Sequence, residues 1–523
     1  MALHRAFRSL AVLLTTALAA LAACGDDQAT AVAPEESHRF PADFLFGAAI
    51  AGFQVDMGCP TLPAEKCEDP NSDWYQFASS PETIADGATH LSGQPLSVSP
   101  GHWELYEHDY DLVKDELHGN AMRLSFEWSR IFPTPTDGAS DFDALAKLAN
   151  PEAVAHYHAE LAALKARGLK PLVTLNHYTL PTWIHDAVGC HKDLDGCSPR
   201  GWLDADRTVR EIAKYAGFVA REFGAHVDLW VTENEPFAVV LPGYVLPSAD
   251  RSNPPAARLK FAEAKTVIKA LVYAHARMYD AIHSNDVVDA DLDGKNAEVG
   301  LVYSMAPVAP RDPENPVDVE GAKNVFYLYN MAFMNAVAKG QLDEGLTGHA
   351  VTVPELQNRM DFVGINYYTR ATVDGTVDPF ISELSPLTTF NPLTMTMWED
   401  YPKGIYEMAT LVKREFNLPV IITENGTPDP NDDGTAPSFL VRHLQWLNRA
   451  MADGVDVRGY FYWSLMDNYE WNHGMDMRFG MYAVDEKDPA KTRKPRKTVA
   501  TFAAITTAGE IPSDLIKQYG QAR

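Results

Sequence analysis

The strongest constraint on the fold is a recurrence. Eight apolar, strand-like runs occupy residues 44–55, 121–128, 170–177, 228–235, 298–307, 360–368, 418–426 and 457–468. Between several of them lie stretches with helical spacing of apolar positions, at 151–167, 208–223, 255–283, 403–416 and 439–453. Eight β-then-α units in one chain meet the requirement for a closed (β/α)8 TIM barrel. Near-continuous apolar runs suit parallel strands covered on both faces. A doubly wound open sheet is the alternative, but no Gly-rich phosphate turn opens an early helix. A barrel with enlarged loops accommodates the 523 residues as one catalytic domain over 38–523. The loops 56–119, 178–206, 236–258 and 369–402 are long and rich in Pro, Trp and Tyr. All follow strands, so they are expected at the C-terminal mouth of the barrel.

The N-terminus reads as processing signal rather than fold. Arg5 and Arg8 precede an apolar stretch over 10–21, well short of the roughly 20 residues of a membrane span. It ends in Leu21-Ala22-Ala23-Cys24, similar to a bacterial lipobox, in which the cysteine is lipidated and becomes the new N-terminus. The expected organisation is a lipoprotein signal over 1–23 and a flexible tether over 24–37, ahead of the barrel domain. An ordinary secretory signal is the rival. Export with membrane anchoring through Cys24 is the expected localisation.

Cysteine usage agrees with export. Beyond Cys24 there are four, in two local pairs, Cys59 with Cys67 and Cys190 with Cys197. Each pair brackets a polar segment, as expected for loops stapled in an oxidising compartment. Zinc is the competing reading, but neither pair has tight CxxC spacing. A balance of 44 basic against 71 acidic residues gives a formal charge of -27. That field argues against nucleic acid and against anionic lipid surfaces, and suits a neutral substrate.

Polar groups crowd the ends of the apolar runs. These are Arg123, Glu127 and Trp128; Asn176, His177 and Tyr178; Glu233, Asn234 and Glu235; Asn366, Tyr367 and Tyr368; Glu424 and Asn425; and Trp463, Asp467 and Asn468. Charges at the rim of a packed barrel are costly unless used or paired. Carboxylates on the fourth and seventh runs would face each other across the mouth. Glycoside hydrolysis needs such a pair, one to protonate the leaving oxygen and one to attack or to direct water. Tryptophan faces can stack on the C–H patches of pyranose rings.

The motifs FLFGAAIAGFQ (44–54), MRLSFEWSRIFP (122–133), VTLNHYTLP (173–181), WVTENEP (230–236), DFVGINYYTR (361–370), IITENG (421–426) and GYFYWSLMDNYEWNHGMDMRFGMYAVD (459–485) stand in order along the chain. On these the sequence resembles glycoside hydrolase family 1 over nearly its whole mature length. DPNSDWYQF (69–77) is similar to the archaeal-type branch of β-glycosidases. The resemblance implies Glu235 as acid/base and Glu424 as nucleophile. It implies that Arg123 keeps Glu424 ionised and that Tyr368 donates a hydrogen bond to it. Asn234 would hold the sugar 2-hydroxyl, with Asn366 beside it. Gln54, His177, Glu470 and Trp471 would bind the remaining hydroxyls. Trp463 would be the stacking platform, and Trp398 would face the leaving group. A retaining mechanism is implied, with carboxyls roughly 5–5.5 Å apart and no metal or cofactor. Tyr178 departs from the family pattern, since many relatives carry Trp there, and Asp56 replaces a common Glu.

Several residues have plainer readings. Glu233 is expected to be structural, because the family usually has an apolar residue there. Glu127 is expected to be an ion-pair partner near the mouth. The acidic run 289–294 mimics half a calcium loop, but its twelfth position would be Gly300 rather than a bidentate Glu, so a solvated turn is expected. The expected activity is exo-hydrolysis of terminal β-D-glucosyl residues from small β-glucosides or oligosaccharides, with β-D-galactosyl and β-D-fucosyl side activity. Glu470 favours an unmodified sugar, because a carboxylate repels a 6-phosphate. A transglycosidase on the same residues and a non-catalytic sugar-binding module are the alternatives.

Overall fold

The computed structural model describes residues 39–520, so the signal, the tether and Cys24 lie outside the described residues. Eight parallel strands close a barrel: β1 (Leu45–Ala49), β2 (Ala121–Ser125), β3 (Lys170–Asn176), β4 (Leu229–Asn234), β5 (Glu298–Ser304), β6 (Phe362–Asn366), β7 (Val420–Asn425) and β8 (Val457–Trp463). Each pairs with its sequence neighbours, and β1 pairs with β8 to close the ring. All eight expected runs contain a strand. The strands are shorter than the apolar runs because each run continues into the mouth. Residues 50–55 turn into the helical turn Gly52–Val55, and Trp128–Ile131 is helical too.

The longer helices around the barrel are α1 (His102–Asp111), α2 (Pro151–Ala166), α3 (Ala205–Phe223), α4 (Phe261–Asn285), α5 (Pro316–Phe326), α6 (Ala332–Lys339), α7 (Lys403–Phe416), α8 (Thr435–Ala452) and α9 (Lys497–Ala508). Local chemistry sets several of their ends. Asn150 caps α2 by accepting the Glu152 amide, with Pro151 supplying a preset φ at the first helical position. Asn417 ends α7 in the left-handed conformation that Asn tolerates well. Among the described residues, no helix is long and apolar enough to cross a membrane.

The barrel interior is a separate small core of Ala49, Leu172, Leu229, Val231, Val302, Phe362, Ile421 and Phe461. Two phenyl rings fill its axis because glycines stand opposite them. Gly300 is in register with Phe362 and Gly47 with Phe461, and a Cβ on either glycine would come within 2.5–2.7 Å of the facing ring. Each fully buried phenyl contributes about 2–3 kcal/mol, and an added methyl would overpack the same space.

Both expected disulfides form, Cys59–Cys67 and Cys190–Cys197, with Cα separations of 6.0 and 4.9 Å. The first staples its loop onto the mouth: Arg130 donates to the Cys67 carbonyl at 2.7 Å and lies over the Trp103 ring. The 289–294 turn lies at the start of the strands. There Asp289 accepts the Asp293 and Gly294 amides, and Asp291 pairs with Lys170. Asp228, Asp289 and Asp291 bring carboxylate oxygens together at this end, away from the mouth.

Candidate active site

β2, β4, β6 and β7 deliver one continuous hydrogen-bonded array to the mouth. Arg123 on β2 is wholly buried and donates to Glu424 Oε1 at 2.5 Å and to Asn234 Oδ1 at 2.6 Å. Tyr368, just past β6, donates to Glu424 Oε2 at 2.6 Å. Asn366 donates through Nδ2 to Glu235 Oε1 at 2.8 Å and to Asn234 Oδ1 at 3.2 Å, while its Oδ1 accepts the Thr423 hydroxyl. Glu235, Glu424, Arg123, Tyr368, Asn234 and Asn366 are thus brought together. Strand ends fix their positions, and each charged group has a partner within hydrogen-bond reach.

The two carboxylates have different settings. Glu424 is buried, and burial pushes its carboxyl up to about 7, against the lowering by the Arg123 charge and the Tyr368 hydroxyl. The expectation that the guanidinium and phenol would dominate is therefore corrected. Both act in the expected direction, but loss of water around the carboxylate, helped by the Glu235 charge, outweighs them. Glu235 is half-buried and sits just past β4 at φ 45°, in the left-handed region that a β-carbon disfavours. Tyr178 (φ 72°), Trp398 (φ 69°) and Trp471 (φ 51°) share this conformation. Strained backbone gathered around one cleft marks side chains aimed by the tertiary structure rather than by local preference.

The other expected residues line the same cleft. Trp463 ends β8 and donates its indole N–H to Glu470 Oε1 at 3.0 Å. Burial pushes Glu470 up to about 7, partly offset by the Arg251 charge and the Trp463 bond. Gln54 Nε2 donates to Asn468 at 2.8 Å, leaving its buried Oε1 without a protein partner. His177 is buried, and burial together with the Arg123 charge holds it well below the usual histidine range, as a neutral imidazole. Trp471 is 2% exposed, stacked on Phe53 and packed against Trp74 and Tyr178. Trp398 lies at the rim, 55% exposed, with its ring 6.3 Å from Tyr368.

Glu233 is buried with neither oxygen hydrogen-bonded, and desolvation raises it well above the carboxylate range, so it stands as a neutral acid. Glu127 is not ion-paired. Its carboxylate accepts from Thr179 Oγ1 at 2.6 Å, Ser125 Oγ at 3.1 Å and the Phe53 amide, while Arg130 turns to Asp56 at 3.5 Å. Two hydroxyls and one amide, of which Thr179 makes the short bond, serve Glu127 in place of a cation.

Two site residues were missed by the sequence reading of roles. Tyr178 donates to Glu235 Oε2 at 2.5 Å and accepts from Asn234 Nδ2 at 3.0 Å. Its departure from the family's Trp was the available signal. Arg251, from the 236–258 insertion, places its guanidinium 5.0 Å over the rings of both Tyr178 and Trp471. Nothing in the local sequence pointed to it, because the insertion is tied down by distant contacts such as Asn472 Nδ2 to the Ala249 carbonyl.

Residues 36–510 match the family model described as glycosyl hydrolase family 1. A β-galactosidase of Pyrococcus woesei is 35% identical over 89% of this chain and 96% of its own length. A β-galactosidase of Saccharolobus solfataricus is 33% identical over 91% and 97%. Among solved structures, the β-glycosidase of Thermosphaera aggregans superposes with a TM-score of 0.78 at 29% identity, over 93% of this chain and 100% of that one. The β-glucosidase of Pyrococcus furiosus gives 0.75 at 32% identity, over 92% and 100%.

Proposed function

Because the chain belongs to glycosyl hydrolase family 1, and is therefore a β-glycosidase, we propose that it releases terminal β-D-glucosyl residues by double displacement with Glu424 as nucleophile and Glu235 as acid/base. A Glu424 oxygen attacks the anomeric carbon while the bond to the aglycone oxygen breaks and the Glu235 proton passes to that oxygen. In the second half, water attacks the same carbon, gives its proton to Glu235, and the sugar–Glu424 bond breaks. The observation that carries the assignment is the asymmetry of partners. Each carboxylate accepts from a phenol, but only Glu424 also has a guanidinium, whose positive charge favours the ionised form against its burial. Glu235 is bound by the neutral donors Asn366 and Tyr178, which suits a group that alternates between acid and base.

The glycone reading rests on Glu470, Trp463, Gln54 and His177, a set of acceptors and donors suited to uncharged hydroxyls. β-D-Galactosides and β-D-fucosides are proposed as further substrates, in keeping with relatives described as β-galactosidases. Trp398, at the rim, is proposed to face the aglycone. Export and anchoring through Cys24 are likewise proposed. Two disulfides in mouth loops support an oxidising compartment.

The decisive experiment is hydrolysis of an aryl β-D-glucoside by the native protein and by Glu424→Ala, with and without azide. Loss of hydrolysis with azide restoring release as the α-glucosyl azide is the expected result. Near-native activity in Glu424→Ala overturns the assignment. A native protein that cleaves no aryl β-glycoside would make the site a sugar-binding one.

A further inference from the structure

Tyr178 occupies an unusual place for a residue outside the expected catalytic set. It follows His177 just beyond β3, is 5% exposed, and points its hydroxyl between Asn234 and Glu235. The direction of every bond around it is fixed. Arg123 can only donate, so Asn234 must present Oδ1 to it and Nδ2 to Tyr178. The phenol oxygen then accepts from Asn234, and its single proton points at Glu235 Oε2. Burial, reinforced by the Glu235 charge, raises the Tyr178 phenol well above its ordinary range, so it stays protonated and remains a donor. Its ring is held edge-on to Trp471 and covered by Arg251, so it has little freedom to turn away. One chain of donors therefore runs from Arg123 through Asn234 and Tyr178 to Glu235, while Arg123 also holds Glu424 directly.

We propose that Tyr178 is a positioning residue for the acid/base, whose phenol fixes Glu235 Oε2 and so holds the carboxyl in the orientation from which it gives its proton to the leaving oxygen and later takes one from water. The inference rests on the double-displacement reading above and deepens it. Asn366 and Tyr178 supply one donor to each oxygen of Glu235, so the carboxyl is held at both ends and its orientation is kept through both half-reactions.

The test is Tyr178→Phe, which keeps the ring under Arg251 and deletes only the hydroxyl. With 2,4-dinitrophenyl β-D-glucoside the leaving group needs no proton, so hydrolysis of the glycosyl-enzyme limits turnover. The variant is expected to lose about tenfold in kcat with a parallel fall in KM, leaving kcat/KM nearly unchanged. Azide, which needs no base, is expected to restore kcat and yield β-glucosyl azide. On a less activated aryl glucoside, whose departure needs the Glu235 proton, kcat/KM is expected to fall about tenfold as well. Equal losses in kcat and kcat/KM on the dinitrophenyl glucoside that azide does not repair would reduce Tyr178 to packing and overturn the proposal, as would native kinetics on both substrates. Failure of the native protein to hydrolyse with retention would instead sink the double-displacement reading itself, so the two failures are distinguishable.

Discussion

Arg123 spreads one buried charge over Glu424, Asn234 and the Thr423 carbonyl, and the rest of the site is arranged around that choice. Removing one partner of a buried charge leaves the other uncompensated, so the array is sensitive to single changes. Tyr368→Phe isolates one of these terms. The phenol lowers Glu424, which burial has already pushed up to about 7. Deleting it raises Glu424 further, and a nucleophile must be ionised to attack. Activity in the native protein is lost as pH falls through the Glu424 titration, and in Tyr368→Phe that acidic limb of kcat/KM is expected at higher pH. Activity well above the limb is expected to fall about tenfold, the cost of one hydrogen bond to a charged group. A pH–rate profile checks this, and an unshifted acidic limb would contradict it. The residue types of the site were legible because the motifs carry them. The Tyr178 and Arg251 contacts were not, since they depend on positive φ angles and on a loop anchored by residues more than 200 positions away.

β4 and α4 meet through a buried polar contact. His275 on α4 bonds Thr232 Oγ1 on β4 at 2.7 Å and the Arg359 carbonyl at 2.6 Å. Burial lowers this histidine from 6.5 to about 4. The unfolded chain therefore takes up the proton first, and the folded state resists it. Stability from this group is full above pH 6.5 and is lost as pH falls through about 4, amounting to about 3 kcal/mol at the low end. His443 on α8, lowered to about 3 by burial, adds in the same direction. Melting curves between pH 7 and pH 4 are expected to slope downward, and less steeply in His275→Gln. An equal slope in both proteins would assign the acid sensitivity elsewhere. The sequence pattern placed both helices and their C-terminal ends closely, with starts six residues early for α4 and four residues late for α8. It could not place these histidines in the interface, because helical spacing locates a face but not what that face meets.

The whole chain combines a barrel written in its periodicity with a mouth assembled from its insertions. Anchoring through Cys24 is testable at this scale. Expressed with its leader in a bacterial host, the native chain is expected to incorporate labelled palmitate and partition with membranes. Cys24→Ser is expected to lose the label, and a native protein that is soluble and unlabelled would refute the anchor. The count of β-then-α units, the two cysteine pairs and the strand-end residue types are readable along the chain, because each follows from local periodicity, from spacing, or from a motif carried on consecutive positions. How charge is balanced at the mouth emerges only on folding. Burial lifts Glu424 despite Arg123, Glu127 is satisfied by hydroxyls and an amide instead of a cation, and Tyr178 becomes the donor to Glu235. The reason is physical: strength and direction in hydrogen bonds and ionic contacts depend on desolvation and on distances between groups far apart in the chain. A linear pattern encodes neither of these.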